Sequence, residues 1–133
     1  MLQGYLSTDP EVRIRSSKKD THTDYKLTVK GDGTLSRDEF EIFVARDFFD
    51  GVRRIIDKPF ISKLCRKYQL DGGLILECSH VDAARKSEFM YAEIEFESEL
   101  QALAFEPPPY LGREVTYDPE YKMKNYWQKT RLA

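Results

Sequence analysis

The chain has 133 residues, 41% of them hydrophobic and 33% charged, with a formal net charge of −2. That is one domain's worth of sequence (residues 1–133), with apolar content enough for a core. The near-balanced charge argues against a general nucleic-acid or membrane-surface binder, which carries a basic excess. With no apolar stretch as long as a membrane span and no signal-peptide pattern after Met1, the expected location is the cytoplasm.

In chain order, strands dominate. Gln3 to Leu6 opens a strand, and Ser7-Thr8-Asp9-Pro10 is a turn cluster. Val12 to Ser16 and Tyr25 to Lys30 predict a strand pair joined by the polar stretch Ser17 to Asp24. Gly31-Asp32-Gly33-Thr34 predicts the next turn, and Ser36 to Val44 the strand after it. From Ala45 to Asp57 the period becomes helical, with Phe48, Phe49, Val52, Ile55 and Ile56 on the apolar side, Asp47 as the cap and Lys58-Pro59 as the stop. Two strands flank Asp71-Gly72-Gly73, and another runs from Glu88 to Phe96. Ser98 to Ala104 predicts a short helix and Pro107-Pro108-Pro109 a rigid break. Asp118-Pro119 reads as a cap and first-turn proline opening a terminal helix to about Lys129.

Several strands repeat a charge every second residue, which puts those charges on one face. Arg13 and Arg15 share a face, as do Lys26, Thr28 and Lys30, then Glu39 and Glu41, then Glu93, Glu95 and Glu97. A half-solvated antiparallel sheet gives this alternation without any function. Gathered on one surface, however, cations beside carboxylates supply what a polyphosphate bound through a divalent metal requires: Arg and Lys for the phosphate oxygens, carboxylates for the hard cation.

A tight type I′ turn at Asp71-Gly72 would pair Leu70 with Gly73 and, counting outward, place Arg66 opposite Glu77 and Cys65 opposite Cys78. A Leu74 pairing through a longer turn would break that register. In a reducing compartment the two cysteines are expected to stay as thiols.

QGYLSTDP (Gln3 to Pro10), VRIR, LTVKG, LSRDEFEI, AEIE and PPYLGREVTYDPEY (Pro108 to Tyr121) stand in the order and spacing of the CYTH, or triphosphate tunnel, family, and the chain resembles a bacterial member of the inorganic triphosphatase kind. The resemblance implies an α+β, mainly β fold: an antiparallel β-barrel with a charged interior and a few flanking helices. It also implies roles. Arg13, Arg15 and Lys30 match the phosphate-clamping cations; Arg37, Glu39 and Glu41 match an R-x-E-x-E whose carboxylates orient cations or approach the metal; Glu93 and Glu95 match the pair that coordinates Mg²⁺ or Mn²⁺.

Three departures from the family qualify this. Family members begin with an E-x-E-x-K strand upstream of the QGYLSTDP region, which the given sequence lacks, so an incomplete barrel is expected, with an unpaired edge open to pairing with a second copy. The family's K-x-R-Y is blurred into Lys63-Leu64-Cys65-Arg66-Lys67-Tyr68; motif alignment selects Lys67 as the phosphate-binding residue, whereas hairpin parity selects Arg66, the preferred choice. Ser79 stands where the family's W-E-V-D has its aspartate. The expected function is metal-dependent hydrolysis of tripolyphosphate or a small triphosphate; the alternative is a degenerate polyanion-binding or assembly module of the same fold.

Overall fold

The protein is described by a computed structural model covering residues 1–33 and 37–133. Among the described residues, seven strands form one antiparallel sheet in the order β4-β3-β2-β1-β5-β6-β7. The strands are β1 (Leu2–Thr8), β2 (Glu11–Lys19), β3 (His22–Lys30), β4 (Glu39–Phe43), β5 (Ile61–Gln69), β6 (Ile75–Val81) and β7 (Phe89–Ile94). Helix α1 (Arg46–Ile56) links β4 to β5; α2 (Glu99–Ala104) and α3 (Met123–Trp127) follow the last strand. The fold is thus α+β and mainly β, and the sheet is open, with β4 and β7 as its two edges. None of the described helices is long and apolar enough to cross a membrane.

The β2–β3 pair is longer than the residues predict. Its ladder runs out to Lys19 opposite His22, so Ser17 to Asp24 is mostly strand and only Asp20 and Thr21 turn. Cross-strand backbone bonds need no core, and Asp20 takes the left-handed conformation (φ +53°) that a tight hairpin requires. At the other end, Gly31 N–H donates to the Asp38 carbonyl at 2.9 Å. Thr34 in the predicted turn, and Ser36 at the start of the predicted strand, lie outside the described residues; the strand itself spans Glu39–Phe43.

Helix α1 packs on one face of β1–β3. Phe49 and Val52 are buried there with Ile14, and Leu27, Tyr25 and Ile56 pack against them. Asp47 is not the cap: Ala45 occupies that position without a side-chain bond, and Asp47 sits in the first turn, where it favours the helix dipole. Phe60 closes this core, with its ring edge-on to Phe49 and Trp127. Gly4 is required beneath it, because a Cβ there would lie 2.3 Å from the ring.

The β5–β6 hairpin corrects the predicted register. Leu70 N–H donates to the Leu74 carbonyl at 2.8 Å, so the loop holds three residues, with Gly72 (φ +78°) and Gly73 (φ +79°) both left-handed. Glycine carries that conformation without strain at two successive positions, which permits the longer loop. The one-residue shift exchanges faces. Lys67, not Arg66, stands opposite Glu77; Arg66 stands opposite Cys78, and Cys65 opposite Ser79. Both cysteines are free.

Beyond α2, Asp118 caps a 3-10 turn at Pro119–Tyr121, accepting from Glu120 N–H. Extended Lys122 interrupts the predicted single helix before α3, which ends in a π-helical turn over Gln128–Leu132. Arg131 locks this end down. Its Nη1 meets the buried Asp82 Oδ2 at 2.8 Å, and it also donates to the Pro59 and Phe60 carbonyls.

Candidate phosphate-binding cleft

On the face away from α1, the strand register sets side chains in rows. Tyr5, Arg13, Thr28 and Glu41 form one row across β1–β4; Gln3, Arg15, Lys26 and Phe43 form the next; Glu11, Lys30 and Glu39 lie on the other side. In the second half of the sheet, Cys65, Ser79 and Tyr91 align, then Lys67, Glu77 and Glu93. Side chains from both halves line a single cleft of about 1550 Å³, so the sheet curls around it. The apolar partners of the same alternation, Ile14 and Leu27, face α1, which is how one short strand serves both core and site.

Cations crowd the floor. Arg13 is only 7% exposed and its Nε has no hydrogen-bond partner among the described residues. A buried unmatched donor costs about 1–3 kcal/mol, so this atom marks a place for an acceptor. Beside it, Arg15 donates from Nε (3.0 Å) and Nη2 (2.6 Å) to Gln3 Oε1, which fixes the guanidinium plane. Burial, then the charge of Arg13, pushes Arg15 down to about 10, leaving it charged at neutral pH. The same two causes lower Lys30. Lys63, 5% exposed and 5.3 Å from the Tyr91 ring centroid, is pushed down to about 8 by burial and then by Arg15. These groups repel one another in a partly dry space, an arrangement that a polyanion relieves. Burial pushes the Tyr5 hydroxyl up to about 12 and the Tyr91 hydroxyl up as well, so both remain hydrogen-bond donors.

Carboxylates border these cations. Glu41 accepts from Lys26 Nζ (3.3 Å) and the Thr28 hydroxyl (3.4 Å), and Glu39 lies 4.0 Å from Lys30. Glu93 and Glu95 line the opposite side, with Glu77 directly across from Glu93 and 3.7 Å from Lys67. Carboxylates facing each other across two strands repel, and a cation between them offsets that cost. No group of three or more acidic, His or Cys side chains gathers into a coordination cluster among the described residues. The donors present suit a hard cation that keeps waters and substrate oxygens in its shell, as Mg²⁺ does.

Of the residues singled out from the sequence, Arg13, Arg15, Lys30, Arg37, Glu39, Glu41, Glu93 and Glu95 all line the cleft. Arg66 does not: the hairpin register turns it to the other face, and Lys67 takes the place at the cleft. Sequence reasoning missed Glu11, Tyr5, Lys63 and Lys122, which also line it. Glu11 was detectable, since it extends the alternation of Arg13 and Arg15 by one step. Lys63 required the correct hairpin register, and Lys122 arrives from the far end of the chain.

No protein-family model matches the chain. It is 38% identical over 124 residues to an inorganic triphosphatase of Nitrosomonas europaea, a match spanning 93% of this chain and 81% of that protein. It is 33% identical over 127 residues to an inorganic triphosphatase of Acetivibrio thermocellus, spanning 92% and 76%. A solved structure of an inorganic triphosphatase superposes with a TM-score of 0.60 at 32% identity, covering 93% of this chain and 81% of that one. Similarity at this level, running through the strands that build the cleft, makes the chain a member of the CYTH-like inorganic triphosphatase family.

Proposed function

We propose that the protein binds tripolyphosphate or a small organic triphosphate in this cleft and hydrolyses it with Mg²⁺ or Mn²⁺. The observation that carries the proposal is the group of buried cations at the floor of the cleft, in which Arg13 Nε has no acceptor among the described residues. In this reading Arg13, Arg15 and Lys30 take the phosphate oxygens, with Lys67 in the role that parity had given Arg66. Guanidinium forks suit bidentate contacts with those oxygens. Glu39 and Glu41 hold the neighbouring lysines in register, Arg37 adds a further cation beside them, and Glu93 and Glu95 would hold the metal, which neutralises phosphate charge when bound. A water oxygen attacks the terminal phosphorus and gives up its proton to solvent, the bridging P–O bond breaks, and the diphosphate (pyrophosphate from tripolyphosphate, the organic diphosphate otherwise) leaves with the electron pair. The residues contribute orientation and charge stabilisation, the main demands of phosphoryl transfer. The proposed setting is the cytoplasm.

The test is phosphate release from tripolyphosphate with Mg²⁺ or Mn²⁺, beside titration of the metal-free protein. Arg15→Ala is expected to weaken tripolyphosphate binding by about a hundredfold, as loss of a bidentate charged contact would. Glu93→Gln is expected to abolish turnover while binding persists. Unchanged binding by Arg15→Ala sinks the cleft assignment.

The open sheet and the lack of a three-carboxylate cluster among the described residues favour a second reading, a polyanion-binding module without turnover. In that case wild type binds tripolyphosphate but releases no phosphate. Pairing of a second copy along an exposed sheet edge would then appear as a dimer in light scattering.

A further inference from the structure

Glu11 is 6% exposed, yet it lines a cleft crowded with cations. A carboxylate at that point repels a phosphate, so direct contact with substrate gives it no use. Its neighbours supply one. Register sets Glu11 directly across from Lys30, and its Oε1 lies 3.3 Å from Arg37 Nη1. Arg37 belongs to no strand: it precedes β4 by two residues, and Glu11 is the one side-chain anchor it has among the described residues. A guanidinium carries five N–H donors. With Nη1 held by Glu11, the others remain for the cleft that Arg37 lines together with Lys30 and Lys122.

We propose that Glu11 is a positioning residue that holds the Arg37 guanidinium in place to receive the triphosphate. This rests on the cleft being the triphosphate site. The sign of a substitution separates it from simple electrostatics. If Glu11 only adds negative charge, removing that charge tightens anion binding. If it positions Arg37, Glu11→Gln weakens binding, because the guanidinium is no longer ordered before the anion arrives.

The experiment is calorimetric titration of tripolyphosphate, without metal, into wild type, Glu11→Gln, Arg37→Ala and the double variant, with melting temperatures alongside. Expected are losses of about tenfold for each single variant and no more than about tenfold for the pair, since groups acting as one unit are not additive. Glu11→Asp should recover part of the affinity. Tighter or unchanged binding by Glu11→Gln overturns the proposal, as does a double variant that loses the product of both effects. If Glu11→Gln does not melt cooperatively, Arg37→Gln decides: full affinity overturns the proposal, and loss at an unchanged melting temperature supports it. If Arg15→Ala loses binding while Glu11→Gln does not, this inference fails alone; a wild type without affinity ends the triphosphate reading with it.

Discussion

Lys63 is buried against the Tyr91 ring, and burial, followed by the charge of Arg15, pushes its ammonium down to about 8. A bound polyanion stabilises the charged ammonium and raises that value again. Binding above about pH 8 therefore takes up a proton at Lys63, a contribution that lowers affinity as pH rises. Between pH 7 and 9.5 we expect wild type to lose about five- to tenfold in affinity for tripolyphosphate by this linkage, whereas Lys63→Met binds more weakly at pH 7 and changes little with pH. Titration in two buffers of different ionisation enthalpy reads the proton directly. Lys67 and Arg66 make a second pair of expectations. Lys67 shares the cleft face with Glu77 and Arg66 points away. Lys67→Ala should weaken binding by about three- to tenfold, the scale of a half-exposed charged contact, and Arg66→Ala should leave it within about twofold. The reverse order would mean that the hairpin pairs in the shorter register.

At the scale of elements, strands and helix α1 were legible because alternation and the 3.6-residue period follow from which side meets the core. Val12 to Ser16 and Phe49 to Ile56 needed no tertiary information. The loop Asp71-Gly72-Gly73 was not legible, since two adjacent glycines permit both a two- and a three-residue turn. Only contacts beyond the hairpin choose between them, and the choice decided whether Arg66 or Lys67 reached the site. The cleft cations of β2 and β3 were visible as a pattern; Lys122 was not, because nothing local ties residue 122 to β2. Gly4 shows the same limit in β1, where the sequence gives no sign that Phe60 arrives across the strand. With the ring held edge-on by Phe49 and Trp127, a methyl group 2.3 Å from it has no room. Gly4→Ala should cost about 2 kcal/mol or more, the cost of overpacking, and lower the melting temperature by several degrees. A neutral melt would mean that Phe60 can swing aside.

Across the whole molecule, one buried network ties the end of the chain to the sheet. Asp82, directly after β6, accepts from Arg131 Nη1 (2.8 Å), the Tyr126 hydroxyl (2.6 Å) and Ser62 N–H (3.0 Å), joining β5, β6 and the terminal helix. Burial alone would raise its carboxyl, but the bonds from Arg131, Tyr126 and Ser62 outweigh it and hold the group below the usual 3.8. A depressed carboxyl contributes stability that is fully present above the unfolded value and is lost as pH falls through the folded one. This contribution should thus persist down to about pH 4 and disappear in more acidic solution. Asp82→Ala should remove it at every pH and strand the buried Arg131 guanidinium, at a cost of about 3–5 kcal/mol. Tyr126→Phe, which deletes one hydrogen bond and keeps the ion pair, should cost about 1 kcal/mol. Because the same terminal segment carries Lys122 to the cleft, with its Nζ 2.6 Å from the Thr116 carbonyl, loosening the network should reach the site as well. Denaturant melts from pH 7 to pH 3, paired with tripolyphosphate titrations at pH 7, separate the two effects. If Asp82→Ala melts like wild type at neutral pH, the ion pair does not hold the terminus. If it is destabilised yet still folded at pH 7 and binds as wild type does, the terminus holds the fold without shaping the cleft.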